Sequence, residues 1–306
     1  MRKNKDLQVI GVIGLGIMGG MMAEALCAAG HRVVGYDPVA AARTRLKKAG
    51  GRPLASSTAV AEAADVVITS LATPGALDDV VAKIAIAKRG KTQAPLVLIE
   101  TSTFTIADKE RAQLALALAG AQSLDCPISG NAMRMKAGDW TIFASGPPTV
   151  LKRVRPLLNV FTSSVQYVGA YGNGTKMKFI ANLLVGIYNV ATAECMTFAR
   201  KMKLDPQQVW DMFSGSPVIG NGVFKLRGKL MLKQKYLPAT MKVEVFQKDM
   251  QVIGDMAKSL DCPLPLFNTC APLYTMAMAL GLAQQDTASV CEVVGRMAGL
   301  TAGRRA

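Results

Sequence analysis

The chain has 306 residues, about twice a typical domain length, with 50% hydrophobic and 19% charged residues. That excludes a disordered or fibrous chain and leaves room for one large domain or two ordinary ones. Its 36 lysines and arginines against 21 acids give a formal charge of +15, which suits nucleic acid, an anionic membrane or small anionic ligands without choosing among them. A single histidine, His31, leaves no room for a histidine metal cluster or a two-histidine mechanism, and no metal is expected.

The chain starts with Arg2-Lys3-Asn4-Lys5, without the small-residue cleavage site of a secretion signal. Gln8 to Gly14 then reads as a short apolar run of the length and type of a buried parallel strand. It runs directly into Gly14-Leu15-Gly16-Ile17-Met18-Gly19, and a helical stretch follows from Met21. A GxGxxG alone is weak, but strand before and helix after is the setting of a dinucleotide-binding turn. Gly14 permits the tight turn, Gly16 lets backbone approach a pyrophosphate, Gly19 lets helix and strand pack, and the helix N-terminus faces the phosphates.

The next strand, Arg32 to Asp37, ends on an acid about 20 residues past the glycines, where a carboxylate accepts from ribose hydroxyls. Asp37 repels a 2′-phosphate, which favours NAD, with NADP kept open by Arg43 and Arg45 on the following helix. His31 lies in the turn before that strand, at the end of the sheet away from the phosphates, and reads as a turn residue. Two further strands, Val66–Leu71 and Leu96–Glu100, send loops from their carboxyl ends, so Leu71 and Thr103 are expected beside the cofactor. Ser102 and Thr103 equally suit the cap of the helix that follows.

A short strand leads to Asp125-Cys126-Pro127-Ile128-Ser129-Gly130-Asn131, with a further strand at Trp140–Gly146. Beyond it, Gly172-Asn173-Gly174-Thr175-Lys176-Met177-Lys178 opens a long helix predicted through Met202. Lys178 and Asn182 are four apart and share a face. Asn189 comes back to within about 20° of Lys178, and Lys176 lies about 200° round. On residues alone, Lys178 fits a snorkelling lysine as well as a functional one. The rest of the chain has helical periodicity, with breakers at Gly215-Ser216-Pro217 and Gly220-Asn221-Gly222 and no clear strands.

These segments, with Val245-Phe246-Gln247-Lys248-Asp249-Met250 and the stretches after Asp261 and Asp286, resemble the β-hydroxyacid dehydrogenase family. That family includes 3-hydroxyisobutyrate dehydrogenase, tartronate semialdehyde reductase and short-chain semialdehyde reductases, within the 6-phosphogluconate dehydrogenase superfamily. The resemblance implies an α/β fold: a Rossmann-type domain over 1–170 with a mostly parallel sheet, extended by strands near Cys126 and Phe143. An all-helical substrate and oligomerisation domain over 171–306 follows, opened by a long interdomain helix. It also implies Lys178 as the catalytic acid/base and Asn182 as its substrate-binding partner. Ser129 and Gly130 would hold the substrate carboxylate. Lys248 would reach the cofactor, and residues 14–19, Asp37, Leu71 and Thr103 would complete its site. Asn131 stands where the family usually has glycine, so it adds an amide to the substrate loop. Arg134 and Lys136 follow it as either substrate-side or surface charges.

The expected activity is hydride transfer between NAD, or NADP, and a small 3-hydroxycarboxylate such as 3-hydroxyisobutyrate, glycerate or tartronate semialdehyde. A lysine ionises at about 10.4 in free solution, so desolvation or the neighbouring charge of Lys248 has to favour its neutral form. Two alternatives stand beside this. One is NADPH-dependent reduction of succinic semialdehyde or glyoxylate; the other is a non-enzymatic dinucleotide-binding module acting on a polyanion. No basic run interleaves with aromatics, so no nucleic-acid partner is expected. Prolines 263, 265 and 272 interrupt the longest uncharged run, so no membrane span is expected there. Six scattered cysteines without CxxC read as buried free thiols of a cytoplasmic protein. The apolar helical part suggests a homodimer or homotetramer.

Overall fold

Alternating strands and helices build the first half of the chain, and their apolar residues explain why. The protein was analysed as a computed structural model, which describes residues 8–87, 95–130 and 139–300. Strand β1 (Val9–Ile13) is followed by α1 (Ile17–Ala28), β2 (Arg32–Tyr36), α2 (Ala40–Lys48), β3 (Arg52–Pro53), α3 (Ser57–Ala63), β4 (Val66–Thr69) and α4 (Pro74–Ala85). Then come β5 (Val97–Glu100), α5 (Ile106–Leu118) and β6 (Gln122–Asp125). The six strands form one sheet in the order β3-β2-β1-β4-β5-β6, with every pairing parallel. This is the doubly wound dinucleotide-binding order, whose switch point lies between β1 and β4.

The sheet is buried on both faces, as parallel sheets are. Val66, Ile68, Val97 and Ile99 enter one core with Ile10, Val12 and Met22, while Val67 and Leu98 enter the other with Val60 and Leu77. The period of two along β4 and β5 divides their residues between these cores. Of the strands expected near Cys126 and Phe143, β6 does extend the first sheet, whereas the strand at Phe143 belongs to a separate one. Its strands β7 (Ile128–Ser129), β8 (Thr141–Ala144) and β9 (Ser164–Tyr167) run in that order, antiparallel then parallel. A single bridge, Asp125 to Ser145, joins it to the end of β6. Helix α6 (Pro148–Leu158) connects β8 to β9 and packs Val150, Leu151 and Val154 into the first core.

The second half is helical: α7 (Asn173–Lys201), α8 (Pro206–Phe213), α9 (Gly222–Lys233), α10 (Val243–Ser259), α11 (Pro265–Ala279), a 3₁₀ turn (Thr287–Ser289) and α12 (Val290–Met297). The compact units are residues 1–178 and 179–306, so α7 starts in one and continues through the other. Among the described residues α7 is the one helix long and apolar enough to cross a bilayer. Its side chains bond to other helices as those of a core helix do: Asn182 to Asp249, Asn189 to Tyr274. Asn189 also donates to Thr287 O, so internal partners take both hydrogens of its amide while its Oδ1 accepts no bond among the described residues. The cysteines are all unpaired; Cys126, Cys270 and Cys291 are buried, whereas Cys262 is exposed on the turn after α10, contrary to the expectation of burial.

One buried ion pair organises the helical unit. Asp286, fully buried, accepts from Arg227 of α9, from Thr240 N and Oγ1 (2.9 and 2.7 Å) and from Ala288 N (3.0 Å). Burial works against its ionisation, but Arg227 and these donors outweigh it and hold the carboxyl below its usual range. A depressed carboxyl stabilises the fold above its unfolded value of about 3.9, and that contribution is lost as pH falls through the folded value. Asp286→Asn is expected to cost about 3 kcal/mol or more at pH 7, since it strands Arg227. Urea unfolding at pH 7 and in acid measures this: the variant's deficit should shrink as pH drops, and an unchanged midpoint at pH 7 would refute it.

Candidate active site

The turn after β1 is shaped by three glycines in three different ways. Gly14 has φ +86° and donates its N–H to Tyr36 O (3.0 Å), and a Cβ there would lie 2.2 Å from Ser70 O. A Cβ on Gly19 would lie 1.9 Å from Gly14 O, so the first turn of α1 is pressed onto the loop. Gly16, by contrast, faces open space, with nothing within 4 Å of its Cβ position. It is also the N-cap of α1, and no side chain caps this helix. First-turn amides without a side-chain partner beside an open glycine make an anion cradle. Leu15 is buried under the loop, Ile17 is exposed, and Met18 is half-buried against the core. The site therefore fits a dinucleotide pyrophosphate.

Asp37 follows β2 and is 8% exposed. Its Oδ2 accepts from Leu15 N (2.7 Å) and its Oδ1 from Val39 N (2.8 Å). A carboxylate has about four acceptor positions, and these bonds take two of them. Arg43 donates to the carbonyls of Asp37 (2.6 Å) and Pro38 (3.0 Å), and Arg45 to Leu15 O (3.0 Å). Both arginines thus brace the loop from α2. Leu71, in the loop after β4, donates its N–H to Ser102 Oγ (2.8 Å) and its side chain comes against Gly14. Thr103 follows Ser102 in the loop leaving β5. The cap of α5 is neither of them: Thr105 Oγ1 accepts from Asp108 N (3.1 Å), which leaves Ser102 to join the two cofactor-side loops.

Ser129 ends β7, half-buried and paired with Thr141 of β8. Gly130 follows with φ +148°, and a Cβ there would lie 2.4 Å from the ring of Trp140, which is fully buried. Glycine is required here by both backbone and space. Asn131, Arg134 and Lys136 lie outside the described residues.

Lys178 and Asn182 stand one turn apart on α7, 9% and 3% exposed, while Lys176 is exposed and points elsewhere. Asn182 Nδ2 donates to Asp249 Oδ2 of α10 (2.9 Å), which fixes the amide's orientation. Asp249 is buried and its Oδ1 lies 3.1 Å from Lys248 Nζ, so one carboxylate holds both Asn182 and Lys248. Asp249 was not among the expected site residues; its signal in the sequence is an acid on the buried face of an amphipathic helix, between Phe246 and Ile253.

A second group was missed. Glu100 and Asp125 end adjacent strands in register, and Lys109 of α5 bonds to both, the Asp125 contact being 2.9 Å; all three are fully buried. The signal lay in α5, where Lys109 falls on the same face as Ile106, Ala112 and Leu116.

An open sheet with a glycine cradle at its switch point and an acid after β2 define a protein of the dinucleotide-binding class. Residues 9–169 match the family model described as the NAD binding domain of 6-phosphogluconate dehydrogenase. Residues 172–294 match that of the NAD-binding region of NADP-dependent 3-hydroxyisobutyrate dehydrogenase. An L-threonate dehydrogenase of Cupriavidus necator is 32% identical over 93% of this chain and 95% of its own. The 2-hydroxy-3-oxopropionate reductase of Escherichia coli is 28% identical over 94% and 98%. The crystal structure of a 3-hydroxyisobutyrate dehydrogenase from Salmonella typhimurium superposes with a TM-score of 0.83 at 26% identity, over 94% of this chain and 99% of that one. The chain belongs to the β-hydroxyacid dehydrogenase family, which sets aside the reading as a non-enzymatic module.

Proposed function

We propose that this enzyme oxidises the hydroxyl of a small 3-hydroxycarboxylate, with Lys178 as the acid/base and NAD as the preferred cofactor. The observation that carries this reading is the buried pair Lys178 and Asn182, one turn apart on α7, with the Asn182 amide held by Asp249. The bound dinucleotide supplies the acceptor for the hydride leaving the carbinol carbon. Lys178, neutral, takes the hydroxyl proton as that carbon becomes a carbonyl, and in reverse returns a proton to the carbonyl oxygen. Asn182 orients the hydroxyl. The Ser129 hydroxyl and the Gly130 amide hold the carboxylate, and Asn131 adds an amide to that loop. The amides of residues 14–19 hold the pyrophosphate, and Asp37 the adenosine ribose. Leu71, Thr103 and Lys248 complete the cofactor's surroundings.

Asp37 supports NAD over NADP by charge. Asp37→Asn keeps one acceptor oxygen but puts an NH2 donor where the other oxygen accepted, and it removes the charge that repels a 2′-phosphate, so NAD should bind about tenfold more weakly while NADP loses less or gains. Dinucleotide titrations by fluorescence read the ratio directly, and an unchanged ratio would overturn the preference. A second reading, reduction of glyoxylate or succinic semialdehyde with NADPH, is favoured by Arg43, whose guanidinium lies against Asp37 and Pro38. A plant relative described as a glyoxylate/succinic semialdehyde reductase is 27% identical.

Self-association as a homodimer or homotetramer is supported by exposed Ile180, Leu184 and Tyr188 at helical spacing on α7. Six unpaired cysteines support a reducing compartment such as the cytoplasm. The names of the relatives put L-threonate and 2-hydroxy-3-oxopropionate first among candidate substrates. A panel crossing NAD and NADP with L-threonate, 3-hydroxyisobutyrate, glycerate, 4-hydroxybutyrate and their carbonyl counterparts tests the reading. Turnover of a 3-hydroxyacid with NAD is expected; turnover confined to aldehydes with NADPH would select the second reading.

A further inference from the structure

The buried group Glu100, Lys109 and Asp125 takes no part in the reaction just described, yet its bonds lead to both sides of the chemistry. Two carboxylates in register on neighbouring strands repel each other unless a cation lies between them. Lys109 supplies it. Burial alone would lower the Lys109 ammonium, but the charges of Glu100 and Asp125 outweigh burial and keep it protonated. Two carboxylates against one ammonium leave one surplus negative charge.

That charge lies against the start of α7. Asp125 Oδ2 accepts from Thr175 N (2.8 Å) and Asp125 Oδ1 from Thr175 Oγ1 (2.8 Å). Ser145 Oγ, itself donating to Asp125, accepts from Gly174 N (2.9 Å). A Cβ on Gly174 would lie 2.4 Å from Phe143 O and 2.8 Å from Asp125 O, so the helix starts in direct contact with the strand ends. A carboxylate at a helix N-terminus satisfies orphan amides and meets the positive end of the dipole. On the other side, Glu100 Oε1 accepts from Ser102 N (2.9 Å), and Ser102 Oγ accepts from Leu71 N (2.8 Å). One buried network therefore connects the loops after β4 and β5 to the first turn of α7.

We propose that Asp125 is a positioning residue for the reaction: through Thr175 it fixes the first turn of α7, and with it Lys178 three residues on, while Lys109 and Glu100 tie that turn to the loop leaving β5. This rests on the reading of Lys178 as the acid/base. Asp125→Asn keeps the shape and an acceptor but removes the charge facing the helix. Thr175→Val removes one hydroxyl, and Thr175→Ser retains it.

The test uses the full chain and two readouts. The first is the rate at which N-hydroxysuccinimidyl acetate acylates Lys178, measured by peptide mass spectrometry relative to exposed Lys152 of α6. Asp125→Asn and Thr175→Val should raise that ratio about threefold or more as the turn loosens, and Thr175→Ser should leave it near that of the parent. The second is turnover of the best pair from the substrate panel, where Asp125→Asn should lower kcat about tenfold while the NADH dissociation constant stays within about twofold. An unchanged labelling ratio in folded, NADH-binding Asp125→Asn overturns the proposal. So does a loss of kcat matched by an equal loss of NADH affinity, which a merely structural role would give. If Asp125→Asn does not fold, Thr175→Val carries the same test. The Lys178 reading fails separately, through retained turnover in Lys178→Ala, and the labelling ratio still reports whether Asp125 sets the lysine.

Discussion

Lys178→Ala is expected to lower kcat by about 10² or more, the usual contribution of a positioned acid/base, with dinucleotide affinity unchanged. The proposed pyrophosphate and ribose sites are built from the loop after β1 and from Asp37, where the carboxylate accepts from Leu15 N and Val39 N and Gly14 N donates to Tyr36 O. Lys178→Arg separates charge from proton transfer. Arginine keeps the positive charge but does not give up its proton in a protein, so it should be as slow as alanine. Steady-state rates in both directions, paired with NADH binding followed by fluorescence, measure the two effects. Near-normal turnover in either variant would remove Lys178 from the reaction. Asn182→Ala should act differently, because in the proposed reaction Asn182 orients the hydroxyl without carrying the proton. Some of its loss should appear in KM.

The glycines of the phosphate turn should separate folding from binding. At Gly19 a Cβ would meet Gly14 O at 1.9 Å, a contact with backbone that no side-chain rotation relieves. Gly19→Ala should therefore destabilise the first unit by about 1–3 kcal/mol or more and abolish dinucleotide binding with it. At Gly16 a Cβ meets nothing, so Gly16→Ala should fold with an unchanged Tm. The methyl nevertheless occupies the approach to the helix N-terminus that a pyrophosphate needs, so NADH affinity should fall about tenfold or more. Thermal melts with and without NADH give the comparison. If Gly16→Ala bound NADH normally, the open face of the turn would not be the phosphate site.

The first strands, the glycine turn and the place of Asp37 were legible because each follows from local rules: a buried parallel strand, a turn only glycine can make, and an acid at a fixed distance. The long helix was legible to within one residue at its end, since 202 was expected and Lys201 is observed. What was not legible depends on pairing across the chain. Asn189 shares a face with Lys178 by periodicity, but only the fold shows that Tyr274 and Thr287 take its donors. Ser102 looked like a cap because it precedes a helix, and its actual partner, Leu71 N, comes from a loop 31 residues away. Glu100 and Asp125 are far apart in sequence and become neighbours only through strand register. Lys109 is the exception, because its position on the apolar face of α5 was readable and went unused.

The bond from Leu15 N to Asp37 has a bearing on how such an enzyme diversifies. The carboxylate proposed to discriminate between the two dinucleotides is also a fixed part of the glycine turn's own scaffold. Selection for cofactor choice and selection for a folded turn therefore act on a single side chain. A lineage abandoning the acid must first find another acceptor for the Leu15 amide, and Arg45, already seated on the neighbouring carbonyl, can supply only donors. Cofactor preference in this chain should accordingly drift slowly, and engineered switches should succeed only when position 37 keeps an oxygen.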